Sequence, residues 1–232
     1  MLHEQKRCDS FQALASSRLK FGVIILTLWF LLPESTVAAT WNLDLFLGTP
    51  LNFNSNLKIT QRGEENLEFT ARWRTESFQQ PVYWVLRTAY WTSATRGWAL
   101  DLCHNKLILD DPPPEVTAYS HTHGYNLLTI QRLWIVDGNL VLLAAGIVVS
   151  HPESTIRGRR FPESGGDLGG GYHLAGPVVG AGLGRRFSLT GTLHAALEGR
   201  LTLSYATTPV VNGESSFTSA SFHFLFGLGL GF

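Results

Sequence analysis

The sequence predicts an all-β fold: an eight-stranded antiparallel up-and-down barrel that crosses a membrane and follows a cleaved signal peptide. Three observations predict it. The C-terminal stretch "SFHFLFGLGLGF" puts Phe222, Phe224, Phe226, Leu228, Leu230 and Phe232 on one parity. His223, Leu225 and three glycines fall on the other. A strand sends successive side chains to opposite faces, so one face is aromatic and the other nearly bare. Beyond residue 39 no run of about 20 apolar residues exists, so a helical span is excluded and a closed barrel is the spanning structure left. Short connections then alternate with long ones along the chain, as in bacterial barrels.

The elements follow in order. Lys6, Arg7, Arg18 and Lys20 precede the apolar run "FGVIILTLWFLL" at 21–32, and Val37 and Ala39 occupy the −3 and −1 positions of a small-residue cleavage site. Residues 1–39 therefore read as a secretory signal peptide and 40–232 as the barrel domain. Of the two cysteines, Cys8 leaves with the signal and Cys103 remains, so the mature chain has no internal disulfide. Formal net charge is zero, and nothing points to nucleic acid.

"WNLDLFLG" is the first strand and the Phe-rich end the eighth. Three tight turns pair the other six. "TSATRG" (92–97) joins "PVYWVLRTAYW" to "WALDLCHNKLIL". "VDGN" (136–139), with its Asp-Gly hairpin signal, joins "GYNLLTIQRLW" to "LVLLAAGIVV". "RRFSLTG" (185–191) joins "GYHLAGPVVGAGLG" to "TLHAALEGRLTLSYAT". Both termini then fall on the side of the tight turns. The four connections on the other side span 49–80, 110–122, 150–169 and 208–215. The first holds a hairpin around Arg62-Gly63-Glu64, and "DDPPPE" and "PESGGDLGGG" mark the second and third as loops.

The seventh strand distinguishes the faces most cleanly. Leu193, Ala195, Leu197, Gly199, Leu201, Leu203 and Tyr205 share one, and His194, Ala196, Glu198, Arg200, Thr202 and Ser204 the other. In a narrow barrel Glu198 and Arg200 must pair inside. A soluble sandwich would give the same alternation. Export, the aromatic end and the loop asymmetry favour the barrel.

Five histidines collect toward the outer rim: His104, His121, His123, His151 and His173. Imidazoles so placed are candidate metal ligands or proton carriers. The candidate catalytic set is Asp101, His104, His121, His123 and Asn126, which pairing of the third and fourth strands would bring together. Parity is unfavourable for His104, which falls with Trp98, Leu100 and Leu102, while Asp101 falls inside. A bulge near Cys103 would be needed to turn His104 inward. "YSHTH" also allows a hydrolase reading, with Ser120, His121 or His123, and Glu115 or Glu153, although Ser120 and His121 point to opposite faces. "GGDLGGG" is no phosphate loop, because no helix and no Lys-Ser/Thr follow it.

"PVYWVLRTAYW", "GWALDLCHNKLIL" and "HTHGYNLLTIQRLW", in that order, resemble the lipid A oxidases of the bacterial outer membrane. Asp101, His104, Lys106, His123, Gly124 and Asn126 match the recurring pattern. Cys103 departs from it, standing where a hydroxyl residue is expected. The resemblance implies oxygen-dependent oxidation of a glucosamine unit of lipid A to an aminogluconate unit. It also implies lipid A as partner. It names no cofactor and no established catalytic set. The terminal Phe232 points separately to insertion by the barrel-assembly machinery, and a monomer is expected. A structural or adhesive barrel and a lipid A deacylase-type hydrolase are the alternatives.

Overall fold

In the computed structural model, Thr40–Phe232 are described, and the signal peptide expected over 1–39 lies outside the described residues. The described residues form twelve strands and no helix. Eight of the strands are long: β1 (Thr40–Asn52), β4 (Trp84–Ser93), β5 (Arg96–Asp110), β6 (Val116–Val136), β7 (Asn139–Ser150), β10 (His173–Ser188), β11 (Leu193–Val210) and β12 (Gly213–Gly231). Each pairs antiparallel with the next in this order, and β12 pairs back onto β1 from Asn42↔Gly231 to Asn52↔Ser221. The circuit of pairings is closed.

The other four strands are the departure from the eight expected. β2 (Ser55–Gln61) and β3 (Leu67–Arg74) form the hairpin expected around Arg62-Gly63. β2 pairs with the upper part of β12, and β3 with the upper end of β5. β8 (Glu153–Ile156) and β9 (Arg159–Arg160) make a second small hairpin on the upper part of β6. Two expected loops are likewise mostly strand. β6 already begins at Val116, and β11 and β12 run up to a turn at Val211 and Asn212, where Asn212 adopts φ 58°. The reason is burial. Leu57, Ile59, Trp73, Tyr119, Tyr125 and Phe217 pack into one apolar cluster between these extensions. At about 3.3 Å per residue, β11 reaches roughly 60 Å, about twice the hydrocarbon thickness before tilt.

Parity sorts the side chains as the alternation requires. Leu45 and Leu47 in β1, Leu86 in β4, Leu100 in β5, Ile130 in β6, Leu143 and Ile147 in β7, Val179 and Leu183 in β10, Leu197 and Leu201 in β11, and Phe224 and Phe226 in β12 are exposed. All eight strands of the circuit thus carry an outward apolar row. The opposite parity is buried, and it holds Asp44, Arg87, Asp101, Glu198, Arg200 and His223.

Candidate functional site

Polar chemistry is concentrated in two places, the lumen and the upper rim. In the lumen, Arg87 comes from β4, Asp101 from β5, and Glu198 and Arg200 from β11, all on inward parity. Arg87 donates to Asp101 at 3.1 Å and to both Glu198 oxygens at 2.8 and 2.9 Å. Arg200 donates to Asp101 at 2.8 and 3.1 Å and to Glu198 Oε1 at 2.7 and 3.0 Å. Two cations and two carboxylates therefore form a closed, neutral quartet out of contact with water. Phe46 lies against the Arg87 guanidinium, 5.0 Å from ring centre to carbon. One layer up, His223 shares hydrogen bonds with Tyr83 and Thr202, both at 2.8 Å, and Cys103 donates to the Tyr83 hydroxyl. Nearer the lower end, Asp44 accepts from Arg186 at 3.0 Å and bonds His194 at 2.7 Å.

The rim is built by an irregularity. Asn105 pairs with Tyr125, but Leu107 pairs with His121, so Lys106 alone on β5 faces Thr122, His123 and Gly124 on β6. Two extra residues are thrown out of the ladder as a bulge. Bulges re-aim side chains, and His123 leaves the inward row of His121 and Tyr125 to become exposed. Gly124 holds the turn with φ +136°, where a Cβ would collide with the Asn126 amide. Opposite the bulge β7 ends at Ser150 and β8 begins at Glu153, which places His151 and Glu153 beside it. Glu153 Oε1 accepts from Thr122 Oγ1 at 2.6 Å and from His123 Nδ1 at 2.7 Å. His151 Nδ1 lies 3.9 Å from the same oxygen. Burial alone would raise the Glu153 carboxyl; hydrogen bonds from Thr122 and His123 outweigh it and hold it below the ordinary value. The Tyr172 ring packs edge-on to His151, and its hydroxyl donates to the His123 carbonyl.

The five sequence candidates separate into four settings. Asp101 belongs to the lumen quartet. His104 lies on outward parity, where it stacks on Trp84 and donates to Asn126 Oδ1 at 2.8 Å. No bulge occurs at Cys103, since β4 and β5 stay in register from Trp84↔His104 to Trp91↔Gly97. His121 points inward and shares a 2.7 Å hydrogen bond with Ser150, not Ser120. Burial pushes its imidazole down to about 3, so it is neutral. His123 sits on the bulge with Glu153 and His151. His104 and Asn126 are thus brought together, and Asp101 and His121 are not part of that pair. Sequence reasoning placed His151 on the rim but not beside His123, and it considered Glu153 only as a triad member. The signal available was their two-residue spacing at a strand end.

No protein-family model matches the chain, and no curated protein matches it. Solved structures similar to it include the outer membrane protein AlkL in lipid bilayers (TM-score 0.46, 13% identity, 87% of this chain and 94% of that one). Others are OprG of Pseudomonas aeruginosa (TM-score 0.41, 9% identity, 87% and 99%) and the attachment invasion locus protein Ail of Yersinia pestis (TM-score 0.38, 10% identity, 84% and 100%). Likeness of this degree carries no inference about activity.

Proposed function

We propose that residues 40–232 are an eight-stranded barrel of the bacterial outer membrane that acts at its outer rim on lipid A. The observation that carries the reading is the division of the surface. Every strand of the closed circuit has outward apolar side chains, Arg87, Asp101, Glu198 and Arg200 are paired inside, and His123 and His151 with Glu153 lie above that belt. Such a belt fits a bilayer, and the level above it is where lipid sugars lie. A pore is disfavoured by the quartet that fills the lumen.

The reaction that the sequence resemblance supports is oxidation of a glucosamine unit. The hemiacetal carbon would pass two electrons and two protons to O2, giving a lactone and hydrogen peroxide, and water would open the lactone to the aminogluconate. The lipid gains one oxygen. A second reading, a barrel with a structural or adhesive role, is favoured by one observation: Asp101 is sealed in the quartet and has no route to a sugar. Mass spectrometry of lipid A from cells with and without the chain separates the readings. One added oxygen supports the oxidase, loss of an acyl chain a deacylase, and an unchanged lipid the structural barrel. In the first two cases His123→Ala is expected to abolish the change while the barrel still assembles.

A further inference from the structure

We propose that His123, His151 and Glu153 bind one divalent transition-metal ion at the extracellular rim. One ligand atom from each residue lies within 4.8 Å of the others. Two imidazoles and a carboxylate are the donor set of zinc sites and of non-heme iron sites, whereas calcium and magnesium favour oxygen alone. Zn–N and Zn–O bonds of about 2.0–2.2 Å place ligand atoms roughly 3.4 Å apart. The observed spacings, 2.7 Å from His123 to Glu153 and 3.9 Å from His151 to Glu153, bracket that value.

A second observation points the same way. The His151 side chain is 9% exposed, and its Nδ1 has no hydrogen-bond partner although it is turned toward Glu153. A buried nitrogen left unsatisfied is costly, and an ion would satisfy it. The other edge of the ring, Nε2, is packed against Gly171, whose φ of +82° and lack of Cβ make the room. The ring is thereby held with Nδ1 inward. His123 needs only a tautomer shift. When the ion replaces the proton between Nδ1 and Glu153, that proton moves to Nε2 of an imidazole that is 56% exposed. No redox step is involved, and the exposed side of the ion stays open to water or a sugar oxygen. The site does not depend on the lipid A reading, because its readout is the ion itself.

The test is calorimetric titration of the tag-free chain, folded in detergent, with Zn2+ alone and Co2+ alone. One ion per chain is expected, with Zn2+ displacing Co2+ and neither Ca2+ nor Mg2+ competing. Glu153→Gln and His151→Ala should each weaken binding at least about tenfold, while His173→Ala should leave it unchanged. Heat-modifiable migration reports whether each variant is folded. Should His151→Ala fail that check, His123→Ala on the exposed bulge replaces it. No binding by the folded wild-type barrel, undiminished binding in the folded variants, or equal competition by Ca2+ overturns the proposal.

Discussion

The lumen quartet and the rim bulge use polar side chains in opposite ways. In the lumen, Arg87, Asp101, Glu198 and Arg200 satisfy one another across β4, β5 and β11, and strict register holds them. At the rim the register breaks, and His151 keeps a buried nitrogen without a partner. Complete pairing produces a rigid plug with nothing left to offer a ligand. Incomplete pairing, at a place where the ladder slips by two residues, leaves groups able to take something from outside. The candidate chemistry therefore sits where the sheet is irregular.

The largest effect should come from breaking the plug. Glu198→Ala leaves two buried guanidiniums with one carboxylate. Removing one member of a buried ion network typically costs about 3–5 kcal/mol. Urea unfolding in lipid vesicles should show a loss of that order, and a loss under about 1 kcal/mol would mean the quartet does not hold the lower half together. Next in size is Leu197→Arg, which puts a charge on the lipid side of the belt. About 2–4 kcal/mol is expected there, against roughly 0–1 for Tyr205→Arg near the upper margin. Equal costs at the two positions would argue against a bilayer at this height.

A change to the rim should be smaller in stability and larger in binding. Gly124→Ala forces a strained φ and a clash with Asn126, at about 1–3 kcal/mol. It should cut Zn2+ binding while leaving heat-modifiable migration intact. His123→Ala removes an exposed side chain and its hydrogen bond to Glu153, and its stability change should stay within about 0.5 kcal/mol. Of these variants it is the sharpest test of the contrast, since lost binding or activity without lost stability is what separates rim from plug.

Much of the lower half was legible in the sequence because alternation is enforced there on both faces. Glu198 and Arg200 share a parity with Thr202 and Ser204, and that parity is the buried one. His104 goes outward with Trp98, Leu100 and Leu102 for the same reason. Arg87 was not anticipated as their partner, because a lone arginine in "VLRTAYW" gives no hint of what lies across a lumen. The upper half was harder to read. Proline and glycine marked 110–122 and 208–215 as loops, yet burial around Trp73, Tyr119 and Phe217 draws the flanking residues into strands. The bulge at Thr122–Gly124 was invisible for a different reason. It exists only as a mismatch of spacing between β5 and β6, and neither strand carries that information alone.

The ladder between β1 and β12 has a kinetic consequence. It joins Leu43 to Leu230 and Asn52 to Ser221, residues separated by most of the described chain. Above it, the same edge of β12 accepts β2, from Phe217↔Leu57 to Gly213↔Gln61. A contact between such distant residues gains nothing until a long loop has closed, and folds dominated by such contacts form slowly. Every other pair of neighbours in the circuit is joined by a far shorter stretch of chain: tight turns for β4–β5, β6–β7, β10–β11 and β11–β12, a short loop for β5–β6, and the segments that carry the small hairpins for β1–β4 and β7–β10. The seam should therefore form last, as one event that shuts the wall and covers the upper edge of β12 together. Until then both edges of the sheet offer unpaired backbone groups, and a chain in that state depends on whatever shelters those edges.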